Sequence, residues 1–358
     1  MQLVILLFFP VMVLSQKAPQ YILTGKIRGL QAGTTVYLSF GDREDSVLSE
    51  DGFFQFSGLL KEPERVFVMI RNPKLVYKSF WLEHGTIVME GHRDSLNRSR
   101  IYGSATEAMY AELNKIISPK ESKIDSLGSL LNKALKTKDE GKTEDIKKKL
   151  LKLNDEIKEL KVGFIKKHPA SYIAAETLYF LKFELGKKEL DQLYNGLSKN
   201  IKNTKRGKQV AAYLALFSNP QPGKKAPAFA MRDNNDRLVE LSQFKGKYVL
   251  LEFWANWCAP CLEELPNLLA SYELFKDKGF EIIGVSLDNK KEVWLKSIKE
   301  HNMKWVNISD LKGGDNKVAI IYGVNGIPDN FLIDPNGIIV DRKLRGEALR
   351  KKLEELIK

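Results

Sequence analysis

The hydrophobic period changes twice along the chain. From residue 17 to about 104, apolar and polar positions alternate in short runs, as in strands with one buried face. The runs fall at 21–27, 35–40, 53–56, 65–70, 79–82 and 85–91, and turn formers such as Gly33 and Asp51-Gly52 separate them. This pattern predicts a small antiparallel β-sandwich as the N-terminal domain, residues 17–104. Asp42, Glu44 and Asp45, between two runs, read as an acidic loop.

From 105 to 218 the apolar spacing becomes three and four. Ile124, Leu127, Leu131 and Leu135 form one stripe, and Ile146, Leu150, Leu153, Ile157, Leu160 and Phe164 form a second. Two amphipathic helices joined near residues 137–143 follow from this. The second stripe approaches heptad spacing for under three heptads, which leaves two partners open. One is the other arm of an intramolecular hairpin; the other is a second copy, in a homodimer through the helical region. His168-Pro169 stops the helix, and residues 170–178 open a further helical pair.

A cluster of loop formers, residues 218–225, precedes a third domain, 219–358. There, apolar runs at 248–254 and 280–286 and a strand–turn–strand pattern at 331–340 alternate with helical patterns that begin at 258, 290 and 349. Pro266 predicts a kink in the first of these helices, and Trp294 is a core residue. The chain therefore reads as multidomain, with a β-sandwich, a helical middle region and a C-terminal α/β domain.

Composition sharpens the picture in three places. Residues 3–14 form an apolar run, too short to span a bilayer comfortably, and Ser15 suits a cleavage site. Residues 1–15 read as a signal peptide, with an uncleaved anchor as the other reading; the signal implies export to the periplasm or cell envelope and an oxidising compartment. The formal charge of +12 comes mostly from lysines mixed with acids in the middle third, a solvated helical surface. No nucleic-acid motif accompanies it, so nucleic acid is not expected as a partner; a peripheral contact with anionic lipid stays open. His84, His92, His168 and His301 show no ligand spacing, and no metal site is expected.

The chain holds two cysteines, Cys258 and Cys261, at the point where a strand breaks into a helix. Two residues apart, they close too small a loop for a stabilising structural bridge, whereas the spacing suits thiol–disulfide exchange. A helix N-terminus favours thiolate, which makes Cys258 the attacking nucleophile and Cys261, one turn further on and better shielded, the resolving thiol. Pro260 between them fixes φ and removes a donor, which helps to set the redox poise. The haem-attachment pattern is absent, because Leu262 follows Cys261.

Residues 254–261, Trp-Ala-Asn-Trp-Cys-Ala-Pro-Cys, resemble the thioredoxin active site, with Ala259 where glycine is common. From about Gly223 to Lys358 the chain resembles membrane-associated or periplasmic thioredoxin-like proteins of the TlpA/ResA type. Residues 319–328 are similar to that family's Y-G-V-x-G-I-P turn, whose proline is cis; here it is Pro328. The resemblance implies a thioredoxin fold, with a buried acid at Glu252 that moves the proton of Cys261. It also implies a substrate-facing surface formed by Trp257, Pro260, Ile327 and Pro328. Asp329-Asn330 departs from the Thr-rich sequence usual after the proline, which points to altered substrate contacts. No cofactor is expected beyond the redox-active Cys258–Cys261 pair. Expected partners are protein disulfides and an upstream membrane thiol reductase, in cytochrome c maturation or disulfide repair. The N-terminal pattern resembles β-rich domains placed ahead of such modules in envelope proteins of Gram-negative bacteria. Two other readings stand beside this one. A peroxiredoxin-like peroxidase needs a threonine at Ala255, and an envelope partner-binding protein would carry a weak or vestigial redox module.

Overall fold

The computed structural model describes residues 20–357, so the expected signal segment, 1–15, lies outside the described residues. Internal contacts separate two units, residues up to 175 and residues from 176 onward.

The first unit begins with eight strands: β1 (Tyr21–Arg28), β2 (Thr35–Phe40), β3 (Arg43–Leu48), β4 (Phe53–Gly58), β5 (Glu64–Ile70), β6 (Val76–Leu82), β7 (Gly85–His92) and β8 (Arg100–Tyr102). They form two four-stranded sheets, ordered β4-β1-β7-β8 and β3-β2-β5-β6. Alternate residues of both sheets, among them Leu23, Leu38, Phe56, Val68, Phe80 and Ile87, meet in one core. One pair, β1 with β7, is parallel, which departs from the wholly antiparallel expectation. The stretch read as an acidic loop continues into β3, an edge strand paired with β2. Its side chains are exposed but for one, so no alternation marks it in the sequence. Two long helices follow, α1 (Ala105–Lys136) and α2 (Glu140–Lys167), capped by Ser104 and Asp139. They pack on each other as a hairpin. Leu113 and Ile117 of α1 and Ile157 and Phe164 of α2 close around Trp81 and Ile173. Leu135, placed in the apolar stripe by spacing, faces outward.

The division between units falls inside α3 (Tyr172–Leu181). The rest of the helical region, α4 (Lys187–Gly196), α5 (Lys199–Lys202) and α6 (Lys205–Leu216), groups with the C-terminal part, although periodicity alone joins it to the helices before it. A polar knot lies within this second unit. Lys182, fully buried at 0% exposure, pairs with Asp315 and lies over the Tyr179 ring. Asp315 also accepts from the Tyr179 hydroxyl at 2.9 Å and from Gln209 Nε2 at 3.0 Å.

A short hairpin, β9 (Ala230–Arg232) and β10 (Leu238–Glu240), leads into a five-stranded sheet of order β13-β12-β11-β14-β15. Its strands are β11 (Tyr248–Trp254), β12 (Phe280–Ser286), β13 (Val306–Ile308), β14 (Asp329–Ile333) and β15 (Ile339–Arg342). The first three run parallel, and β14 and β15 are antiparallel additions. The helices are α7 (Ala259–Phe275), α8 (Lys291–Glu300), α9 (Lys317–Tyr322) and α10 (Gly346–Leu356). All of β11 after Tyr248 is buried, as in a central strand covered on both faces, which is why its sequence is apolar on both faces apart from Glu252. Trp294 is buried as expected, and α7 runs through Pro266 to Phe275.

Candidate active site

β11 ends at Trp254 and the chain turns through Ala255, Asn256 and Trp257 into α7. The turn is held on two sides. Trp254 Nε1 donates to Asn307 Oδ1 at 3.2 Å, and the Asn256 N–H donates to Asp288 at 3.2 Å. Position 284 beside this bond has to be glycine, because a Cβ there would lie 2.3 Å from Asn307 Oδ1.

Cys258 is the N-cap of α7, and its sulfur accepts the Cys261 N–H at 3.3 Å. The sulfur therefore lies against the unpaired donors and positive dipole end of the helix. The two cysteines form a disulfide, with an S–S distance of 2.01 Å and a Cα–Cα distance of 5.3 Å. Cys258 is 5% exposed and Cys261 3%, so their shielding differs little. Trp257 is 63% exposed, and Pro260 lies exposed in the first turn.

The Ile327–Pro328 peptide is cis. Asp329 pairs with Phe253 across the sheet, so the register brings Pro328 to the end of β11 that leads to the cysteines. Ile327 is half-buried and Pro328 buried, and Arg345 donates to the Pro328 carbonyl. Ahead of this loop, Gly323 ends α9 with φ +64°, and a Cβ there would lie 2.7 Å from the Asn219 side chain.

Glu252 lies on β11 with its side chain buried, directly opposite Asn330 on β14. Burial pushes its carboxyl up to about 8; Asn330, which donates to Oε2 at 2.9 Å, pulls the other way. The charges of Glu264 and Asp329 add to the rise and that of Arg345 opposes it. Asp329 and Asn330, where the sequence departs from the Thr-rich pattern, are both buried. Asp329 is held by Arg342 at 2.6 Å and Asn330 by Glu252 and Leu344. Asp288, Asn307 and Arg345 were not singled out by the sequence. Each acts through a contact made across strands or loops, with no local spacing to mark it. Among the described residues no group of three or more His, Cys, Asp or Glu is placed to hold a metal.

A central parallel sheet that delivers a Cys-x-x-Cys pair to a helix N-terminus, beside a cis-proline turn, defines the thioredoxin-fold thiol–disulfide oxidoreductases. Comparison with known proteins agrees. Residues 222–342 match the AhpC/TSA family, and residues 21–110 match a domain of unknown function, DUF4369. The chain is 38% identical over 149 residues to the thiol-disulfide oxidoreductase ResA of Bacillus cereus, covering 41% of this chain and 84% of that one. It is 35% identical over 131 residues to ResA of Bacillus subtilis, covering 36% and 72%. Among solved structures it matches the thioredoxin domain of a thiol-disulfide oxidoreductase from Bacteroides vulgatus at 40% identity. That match covers 39% of this chain and 99% of that one, with a TM-score of 0.37. The chain belongs to the TlpA/ResA type of thiol–disulfide oxidoreductases, and it is an enzyme of that activity.

Proposed function

We propose that the protein is an exported protein-disulfide reductase working through Cys258, Cys261 and Glu252. The observation that carries this is the cysteine pair at the start of α7, with a buried carboxyl of raised proton affinity on the strand before it. In the reduced enzyme the Cys258 thiolate attacks one sulfur of a substrate disulfide. A mixed disulfide forms and the other substrate sulfur leaves as a thiolate, which takes up a proton. Glu252, in its carboxylate form, takes the proton of Cys261. The Cys261 sulfur then attacks Cys258, releases the second substrate thiolate and closes the Cys258–Cys261 disulfide. The substrate gains two electrons and the cysteine pair loses them. An upstream membrane thiol reductase would return two electrons; no organic cofactor takes part in these steps.

Trp257 and Pro260 stand exposed beside Cys258, a surface for the substrate, and the backbone of Ile327 before cis-Pro328 is suited to pairing with an extended segment. The apolar run at 3–14 supports export to the cell envelope, where cytochrome c maturation or disulfide repair would supply substrates. No helix among the described residues is long and apolar enough to cross a membrane. We read the two N-terminal sheets as the halves of a sandwich, and the exposed Leu130, Leu135 and Leu151 of the α1–α2 hairpin as the surface on which a second copy would pack. A peroxidase reading, raised by the AhpC/TSA match, is disfavoured because buried Ala255 stands where its threonine is needed.

The test is reduction of insulin disulfides together with the equilibrium potential of the pair. Activity should vanish in Cys258→Ser, and the potential should lie near about −270 mV, as for thioredoxin. A potential near about −120 mV would reverse the assigned direction. An inactive wild-type protein would leave the vestigial, partner-binding reading in its place.

A further inference from the structure

We propose that Asn330 is the positioning residue for Glu252, fixing where that carboxyl points and how readily it gives up its proton. This rests on the proton role assigned to Glu252 above.

The Asn330 amide has one orientation. Its Oδ1 accepts the Leu344 N–H at 3.0 Å, and its Nδ2 donates to the Leu344 carbonyl at 2.7 Å and to Glu252 Oε2 at 2.9 Å. The backbone N–H of Leu344 requires an acceptor, so the amide oxygen is committed there and the nitrogen must face Glu252. Among the described residues it is the one hydrogen-bond donor to that carboxyl, and both side chains are buried, at 1% and 3% exposure. A donor that cannot turn round favours the carboxylate over the acid. The other charges facing Glu252 come from three elements and do not hydrogen-bond to it: Glu264 on α7, Asp329 on β14 and Arg345 ahead of α10. Asp329 is itself paired with Arg342, and Glu264 accepts the Gly346 N–H at 2.6 Å.

The side chain also fits its place. Asn330 links β14 to the turn at Lys343, whose N–H donates to the Asn330 carbonyl at 3.0 Å, and that turn delivers Arg345 to the Pro328 carbonyl. An aspartate would aim an oxygen at a carboxyl. A threonine offers one donor but cannot serve both Leu344 groups and Glu252 at once.

The experiment is a 13C NMR titration of the glutamate carboxyls in the oxidised protein, where neither cysteine titrates. The Glu252 signal is assigned by its loss in Glu252→Gln. Asn330→Val and Asn330→Thr have nearly the same shape and differ in the hydroxyl donor. The Glu252 midpoint should rise by about one pH unit in Asn330→Val and lie closer to wild type in Asn330→Thr. Equal midpoints in wild type and Asn330→Val overturn the proposal. If Asn330→Val does not fold, Asn330→Ala against Asn330→Ser carries the same comparison. The pH profile of mixed-disulfide resolution separates the two layers. A carboxyl midpoint that moves while the rate profile stays fixed upholds Asn330 and removes Glu252 from the proton step. Movement of both together upholds both.

Discussion

Glu252 ionises inside the fold, and the cost of that falls on stability as pH rises. Its ordinary value is 4.5, and burial raises it to about 8 in the folded chain. The folded state thus binds the proton more tightly than the unfolded state. The stabilisation is complete below about pH 4.5 and is lost as pH climbs through about 8. At 1.36 kcal/mol per pH unit, the interval amounts to at most about 5 kcal/mol. Urea unfolding at pH 5 and pH 9 should therefore show a loss on the alkaline side that Glu252→Gln largely abolishes. The same residue shows what is legible at this scale. Cys258 and Cys261 could be picked out because the chemistry lies in their linear spacing, and Glu252 because the resemblance to the thioredoxin pattern implies a buried acid there. Asn330 and Arg345 could not, because their partners are 78 and 17 positions away and only the register brings them together.

At the scale of elements, β11 and β3 mark the two extremes of legibility. β11 is buried along almost its whole length and reads as an apolar run, whereas β3 is held by backbone bonds to β2 and shows no hydrophobic pattern. The α1–α2 hairpin follows its three-and-four spacing, because burying one stripe is what stabilises such helices. The attachment of α3 to the turn before α9 was hidden, since it depends on a buried charge. Lys182 has 0% side-chain exposure, and removing it leaves Asp315 with only neutral donors. Lys182→Met should destabilise the protein by about 3 kcal/mol in urea unfolding, and adding Asp315→Asn should restore part of that loss.

At the scale of the whole chain, the two family matches, 21–110 and 222–342, leave residues 111–221 between them. Part of that interval, from residue 176, belongs with the redox unit. A fragment comprising 219–358 keeps the cysteine site but loses the Lys182–Asp315 pair and the packing of α6 on α9. Its melting temperature should fall roughly 10 °C below that of a 176–358 fragment, as about 3 kcal/mol implies for a domain of this size. Equal melting temperatures would mean that the helices contribute nothing to the redox unit. Differential scanning calorimetry of the two fragments decides this.

Trp257 has one more consequence. An indole held in water immediately before a sulfur–sulfur bond is an optical gauge built into the chain, because a neighbouring disulfide quenches tryptophan emission. Each catalytic cycle should therefore brighten and dim the native protein, and its turnover can be followed by light alone, with no dye attached and no substrate labelled.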